Sequence, residues 1–340
     1  MSQKFRLTAT RRKSIWGTAR AKYLSVASLA MALSFNAHAE SVNLIFAGDI
    51  MLDDGPGRLI ARGGDPLAPF AAILNAADYR IGNLECPIAE SGTALDNKIF
   101  SFRAKPQVLP VLQGRFDAVS LANNHSGDYG HPAFLDTMLH LDKAGIAHFG
   151  GGRNLGEAHR PLWIERKGLK IAVLAYNEFK PRSFEAGANW PGIAWSEDDH
   201  VIADIRAARL AGADLVIPFM HWGWENERKP SQRQQQLARK MIDEGAALVV
   251  GGHPHVTQGV EIYQGKPIIY SLGNFVFDGF DYAAGQRGWL LRLKLDKSGV
   301  IFWDTLAAQM DDDGTPHPVS GTFTPCGRGG EALVSECQNP

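Results

Sequence analysis

Two histidines, His253 and His255, flank a proline directly after a Gly-Gly pair in residues 247–255, ALVVGGHPH. The apolar run 247–250 reads as a buried strand, and the glycines allow a sharp turn and close backbone approach. Pro254 fixes φ between the rings, so both imidazoles sit on a short, stiff loop. Such a pair suits one metal ion or two. The alternative is a polar loop with two unrelated histidines, and the other apolar runs bear on the choice. They end in Asp49, in Asn83 and Glu85, in Asn124 and His125, in Asn177 and Glu178, and in His221. Carboxylate, carboxamide and imidazole groups at successive strand ends form a ligand set for Mn, Zn or Fe. The three cysteines of the chain form no comparable cluster, which disfavours iron–sulfur and other soft-metal sites.

Those groups need a frame that gathers strand ends on one side. Strand-like patterns cover 42–47, 79–84, 116–121, 169–175, 214–220 and 247–250. Between them, helical spacing covers 67–77, 106–113, 133–144, 197–211 and 231–244. Ser196 and Ser231 suit N-caps, and Gly145, Gly212 and Gly245 suit helix stops. The alternation argues for an α/β fold with largely parallel strands. Ligands in such sheets sit at the carboxyl ends of the strands, where these polar groups lie. After residue 256 the pattern becomes a meander over 260–263, 267–272, 289–295 and 300–306. This meander is expected to complete a second sheet packed on the first. One large domain is expected over 41–310, followed by an irregular tail over 311–340.

The chain has 340 residues and a formal net charge of -1, so bulk charge indicates no nucleic-acid partner. Basic residues from Lys4 to Lys22 precede an apolar run over 23–35 and the small-x-small triplet Ala37-His38-Ala39. That order predicts a secretory signal peptide over 1–39 and a periplasmic or extracellular mature protein. N-terminal membrane anchoring is the alternative, although the run is short for a span. Cys326 and Cys337 lie in a Gly-, Pro- and Ser-rich stretch, where a disulfide would tie down a segment with little core. Cys86 is left over and reads as a small buried residue.

The segments GDIML (48–52), GNLECPI (82–88), LANNHSGDYG (121–130), HWGWE (221–225), GGHPHV (251–256) and YSLGNFVFD (270–278) resemble the CapA-like family. Its members are capsule-biosynthesis or poly-γ-glutamate synthesis proteins, and the resemblance covers most of the chain after the leader. That family is similar in turn to the calcineurin-like metallophosphoesterases. The resemblance implies a four-layer α-β-β-α sandwich, two mixed sheets with helices outside. It implies metal ligation by Asp49, Asn124, His221, His253 and His255. Asn83 stands where the phosphoesterases carry a bridging Asp, with Glu85 two residues on as its substitute. Met51 stands where they carry a further histidine, and these departures favour one fully ligated divalent ion over two.

His125 matches the catalytic histidine of the phosphoesterases, which implies that it protonates a leaving oxygen. Asp128 and Asn274 are candidates to orient rings from behind, and Asn83 is a candidate extra ligand or such a support. Trp222, Trp224 and Tyr129 are candidate cleft walls. Two functions stay open. One is an envelope hydrolase acting on a phosphoester or on an amide in an anionic polymer. The other is a non-hydrolytic, polymer-binding part of a membrane synthesis or export complex.

Overall fold

The computed structural model describes residues 40–329 except Asn97, together with residues 331, 332 and 337. The expected signal segment 1–39 lies outside the described residues.

Strands β1 (Val42–Ile50), β2 (Tyr79–Leu84), β3 (Ala118–Ser120) and β4 (Ala147–Phe149) are parallel neighbours in one sheet. The two-residue strand β5 (Gly151–Gly152) stands apart from it. β6 (Leu162–Arg166) and β7 (Leu169–Asn177) open a second sheet, and β8 (Gly192–Ile193) pairs with β5. β9 (Leu215–His221), β10 (Val249–Gly252), β11 (Thr257–Tyr263) and β12 (Lys266–Leu272) complete that second sheet in the order β11-β12-β10-β9-β7-β6. β13 (Asn274–Val276), β14 (Arg287–Asp296), β15 (Gly299–Met310), β16 (Pro316–Pro318), β17 (Thr324–Arg328) and β18 (Glu331–Ala332) return to the first sheet. Its order is β18-β17-β15-β14-β1-β2-β3-β4, with β13 beside the end of β1 and β16 on β15. Both sheets are mixed, because β14 runs antiparallel to β1 and β11 runs antiparallel to β12.

Alternation along the strands divides the apolar side chains among three cores. Val42, Leu44 and Phe46 face Ile171, Val173, Ile217 and Phe219 between the two sheets. The Phe46 and Phe219 rings meet edge to face at 5.4 Å. Ile45 and Ala47, on the other face of β1, pack with Phe134, Met138 and Leu141 of the helix Gly130–Ala144. Ala172, Leu174 and Val216 pack under the helices Asp198–Leu210 and Gln232–Asp243 through Val201, Ile205, Leu237 and Met241. Helix, sheet, sheet and helix are thus the four layers that the motifs imply. Each fully buried Leu, Ile, Val or Phe contributes about 1.5–3 kcal/mol, which makes the inter-sheet layer a major stabilising element.

Three expectations need correction. The meander does not form a second sheet by itself: β11 and β12 join the second sheet, whereas β14 and β15 extend the first beyond β1. β14 has the alternating pattern of any two-faced strand, and nothing local in it selects β1 as partner. The stretch after Met310 is not wholly irregular either. Its strand β17 pairs with β15, with Thr324 opposite Thr305 and Arg328 opposite Phe302. The open edge of β15 supplies the backbone partners that this Gly- and Pro-rich segment does not advertise. Finally, Ser196 does not cap the helix Asp198–Leu210. Glu197 holds that position, and the Ser196 hydroxyl donates to Glu178 Oε2 at 2.8 Å. Ser231 does cap its helix: its hydroxyl accepts the Gln234 N–H while Gln234 Oε1 accepts the Ser231 N–H. Among the described residues, no helix is long and apolar enough to cross a membrane.

Candidate metal centre

The strand registers bring the polar residues together. Asp49 on β1 lies opposite Asn83 on β2 and Asn274 on β13, and His221 on β9 lies opposite Gly252 on β10. Only glycine permits this closeness. A Cβ on Gly48 would sit 1.9 Å from the Gly273 carbonyl oxygen, and one on Gly252 would sit 2.8 Å from Asp49 Oδ1. Beyond β10, His253 and His255 both adopt positive φ, 91° and 58°. That conformation is costly for residues with a Cβ and marks a loop shaped by something other than local propensity.

Asp49, Glu85, His221, His253, Asn124 and His255 are all buried. The Nε2 of His221 lies 2.7 Å from Asn124 Oδ1, 3.1 Å from His253 Nδ1 and 3.5 Å from Glu85 Oε1. Glu85 Oε1 is also 3.9 Å from His255 Nε2 and 4.0 Å from His125 Nε2. Among the described residues, neither Glu85 oxygen has a hydrogen-bond partner, and neither does His253 Nε2. Buried polar atoms without partners are rare and call for a reason. Glu85, His221 and His253 offer ligand atoms within 4.8 Å of one another, as do Asp49, Glu85 and His255. A divalent cation would satisfy the orphaned carboxylate and the converging ring nitrogens, so this donor set fits a metal.

The electrostatics agree with that fit. Burial, and then the charge of Asp49, pushes the Glu85 carboxyl well above its ordinary range. Burial holds His253 well below the usual histidine value, and His221 is pushed down to about 3. Burial also opposes the charged form of His255, but Glu85 and Asp49 beside it carry its pKa above the ordinary value. Neutral rings at His221 and His253 thus meet the Glu85 carboxyl, whose negative charge is disfavoured by burial and raises the pKa of His255.

Support comes from behind the rings. The Nδ1 of His255 lies 2.9 Å from Asn274 Oδ1, and the Nδ1 of His125 lies 2.8 Å from Asp128 Oδ2. Asn83 acts differently from a ligand. Its oxygen accepts from Asn123 Nδ2 at 3.1 Å, so its amide nitrogen faces the centre and donates to Asp49 Oδ1 at 2.8 Å. Met51 is buried, and its sulfur accepts the Asp53 N–H at 3.1 Å. His125 is pushed down to about 4 by burial, against the pull of Asp128.

Three neighbours of the centre had no role assigned from the sequence. Glu225 lies with His253 and His255 in a third group of possible ligands. Its position four residues past His221 was the available signal. Asn123 donates through Nδ2 to Asn83 Oδ1 and so orients its amide. Lys98 contacts Asn124, His125 and Asp128 from a segment with no helix or strand pattern. A cleft of about 710 Å³ opens beside His125, lined by Lys98, Phe100, Phe179, Lys180 and Glu225. Asn177 and Glu178 stay outside the cluster: Asn177 closes a turn onto Phe179, and Glu178 pairs with Arg233 at 3.0 Å. Trp222 is core, Tyr129 lies under Arg103, and exposed Trp224 packs on Phe179 near the cleft.

The model of the bacterial capsule synthesis protein PGA_cap family matches residues 43–279, from β1 through β13. The chain belongs to that family. The PGA_cap match takes in all the residues gathered at the centre. Among curated relatives, the chain is 33% identical over 290 residues to the PGA biosynthesis protein CapA of Bacillus subtilis (strain 168), across 81% of this chain and 73% of that protein. It is 31% identical to the capsule biosynthesis protein CapA of Bacillus anthracis, across 84% of this chain and 71% of that one. The fold is also similar to a 5'-nucleotidase precursor from Thermus thermophilus, with a TM-score of 0.51 and 12% identity over 82% of this chain and 56% of that one. At that identity the likeness speaks for the metallophosphoesterase-type fold alone.

Proposed function

We propose that this PGA_cap protein is an exported, metal-dependent hydrolase of the cell envelope that acts in capsule or poly-γ-glutamate synthesis. Its substrate class would be an anionic polymer or a phosphoester. The observation that carries this reading is Glu85: a buried carboxylate with no hydrogen-bond partner among the described residues, faced by ring nitrogens of His221, His255 and His125. Asp49, Glu85, Asn124, His221, His253 and His255 would hold one divalent ion, and Mn, Zn and Fe all suit these donors. When bound, such an ion supplies positive charge to a displacement at phosphorus or at a carbonyl carbon.

The protein's own groups do the rest. Asp128 holds His125 at Nδ1, which turns Nε2 toward Glu85 and the cleft. Because burial keeps the free ring neutral near pH 7, Nε2 would take up its proton from water as the reacting group enters and pass it to the leaving oxygen, with the carboxylate of Asp128 stabilising the charged ring. Lys180 and Lys98 line the cleft beside an anionic substrate. Purified mature protein, assayed with Mn, Zn or Fe on simple phosphoesters and on poly-γ-glutamate, tests the reading. Metal-dependent turnover of one class is expected, and none on either would refute it. Intact mass from the envelope fraction tests export: a mass retaining residues 1–39 would favour an anchored protein.

A second reading is a polymer-binding component without hydrolysis. Asn83 favours it, because an amide nitrogen replaces the bridging carboxylate of phosphoesterases and donates to Asp49. Polymer binding without turnover, in the same assays, would select it. In either case a membrane synthesis or export complex is the proposed setting.

A further inference from the structure

We propose that Lys98 is a positioning residue for His125, acting through Asp128. Its catalytic consequence rests on His125 being the proton donor; its geometric part does not.

The Asp128 side chain has no solvent exposure, and that of Lys98 is 17% exposed. The Lys98 ammonium donates to Asp128 Oδ1 and to the Asn124 carbonyl oxygen, the latter at 2.7 Å. Its Nζ lies 3.1 Å from His125 Nδ1. The other carboxylate oxygen, Oδ2, accepts the Phe102 N–H at 2.8 Å and lies 2.8 Å from His125 Nδ1. Among the described residues, every hydrogen-bond partner of the Asp128 carboxylate therefore either belongs to His125 or comes from the segment around Lys98. A fully buried carboxylate needs a counter-charge, and here Lys98 supplies it. With Oδ1 held by the ammonium, Oδ2 is aimed at the ring and would accept a hydrogen bond from Nδ1–H, in which case the ammonium beside Nδ1 directs its protons to Asp128 and the Asn124 carbonyl.

This fixes the tautomer and orientation of His125, leaving Nε2 directed at Glu85 Oε1, 4.0 Å away. The second ammonium bond fixes the peptide between Asn124 and His125. One cation thus sets the candidate ligand Asn124, the ring of His125 and its carboxylate partner in a single arrangement. The same segment is docked again by the Leu95 N–H, which donates to the Asp128 carbonyl at 3.0 Å. Lys98→Met keeps the apolar stem and removes only the charge and its three protons.

The test is the ¹⁵N spectrum of the histidine rings in the full mature protein loaded with Zn, which is diamagnetic. A His125→Asn protein assigns the signals. The wild type is expected to show one His125 tautomer, with its proton on Nδ1. Lys98→Met should shift His125 toward a mixture or toward the Nε2–H form, while Lys98→Arg keeps the wild-type pattern. A wild-type ring with its proton on Nε2 would overturn the proposal, and so would Lys98→Met with an unchanged spectrum. If Lys98→Met does not fold, the wild-type and Lys98→Arg spectra still decide. Turnover of phenyl phosphate by Lys98→Met should fall about 10²-fold in kcat, the lower end of what a placed proton donor contributes. A rise in KM alone would mean that Lys98 only braces the cleft wall, against the proposal. Expected spectra with no turnover by any variant would sink the hydrolase reading and leave the positioning role intact.

Discussion

The Nε2 of His221 and the Nδ1 of His253 face each other across 3.1 Å, on the ends of neighbouring strands. Both rings are buried, and His253 takes a positive φ to reach this place. Two charged imidazoles would repel at this distance, and burial holds both rings toward the neutral form. In the proposed metal centre, both nitrogens would be free to hold one shared cation.

Elemental analysis after dialysis is therefore expected to find about one equivalent of Mn, Zn or Fe, since a single closed ligand set is the stronger prospect here. The double substitution His253→Ala, His255→Ala should remove it. Failure of the wild type to retain any of these metals, each offered in excess, would defeat the metal centre.

Glu85 tests the same centre from the side of stability. Its folded pKa lies above the ordinary value of 4.5. The cost of ionising it is thus absent well below pH 4.5 and grows as the pH rises from there toward the folded pKa. At neutral pH, Glu85→Gln should stabilise the metal-free protein by about 1–3 kcal/mol, the usual penalty of an unsatisfied buried group. The same change should abolish the rise in melting temperature that added metal gives the wild type. A lower melting temperature for metal-free Glu85→Gln would show that Glu85 is satisfied without a cation.

Much of this site was legible because strand ends are easy to find. Apolar runs such as 169–175 and 247–250 stop at polar residues, and motif order ties those residues to one end of a sheet. The orienting groups Asp128 and Asn274 were within reach for the same reason, since each lies inside a quoted motif. Lys98 was not legible. It reaches the site from a segment with no periodicity, 30 residues before Asp128, and only the folded chain brings the two together. Nor was the role of Asn83, because the direction of its amide depends on Asn123, a neighbour on another strand end. In the fold, β14 and β17 were the hard cases. Alternation shows that β14 is a strand without showing that β1 is its partner, and β17 forms because the edge of β15 is open to it.

Cys326 and Cys337 are joined by a disulfide with Cα atoms 5.7 Å apart, closing a loop with a sequence separation of 11. Cys326 lies on β17, so the bond ties the end of the chain to the first sheet. Its loss in a Cys326→Ala, Cys337→Ala protein should cost up to ~3 kcal/mol by loop entropy. Non-reducing peptide mapping of the purified protein should recover the linked pair, and two free thiols would count against it.

The roles of metal and proton donor separate at His125. His255→Ala breaks the ligand set, so metal and turnover should disappear together. His125→Ala removes a ring that faces Glu85 at 4.0 Å but stands on Asp128 rather than among the closest ligand atoms. Metal should stay bound, and turnover should drop by roughly 10²–10⁴-fold, the range for a placed general acid. The loss should be smaller for p-nitrophenyl phosphate than for phenyl phosphate. A nitrophenolate leaves as a stable anion and gains little from a proton, whereas phenolate gains more. If His125 were itself a ligand, metal content would fall with it. If it were only a packing element against Phe102, 4.6 Å away, melting temperature would fall and both substrates would suffer alike. Metal content, melting temperature and the two rates, measured on one His125→Ala preparation, therefore distinguish donor, ligand and packing residue. Equal losses on both esters with metal and stability unchanged would end the general-acid assignment while leaving the metal centre in place.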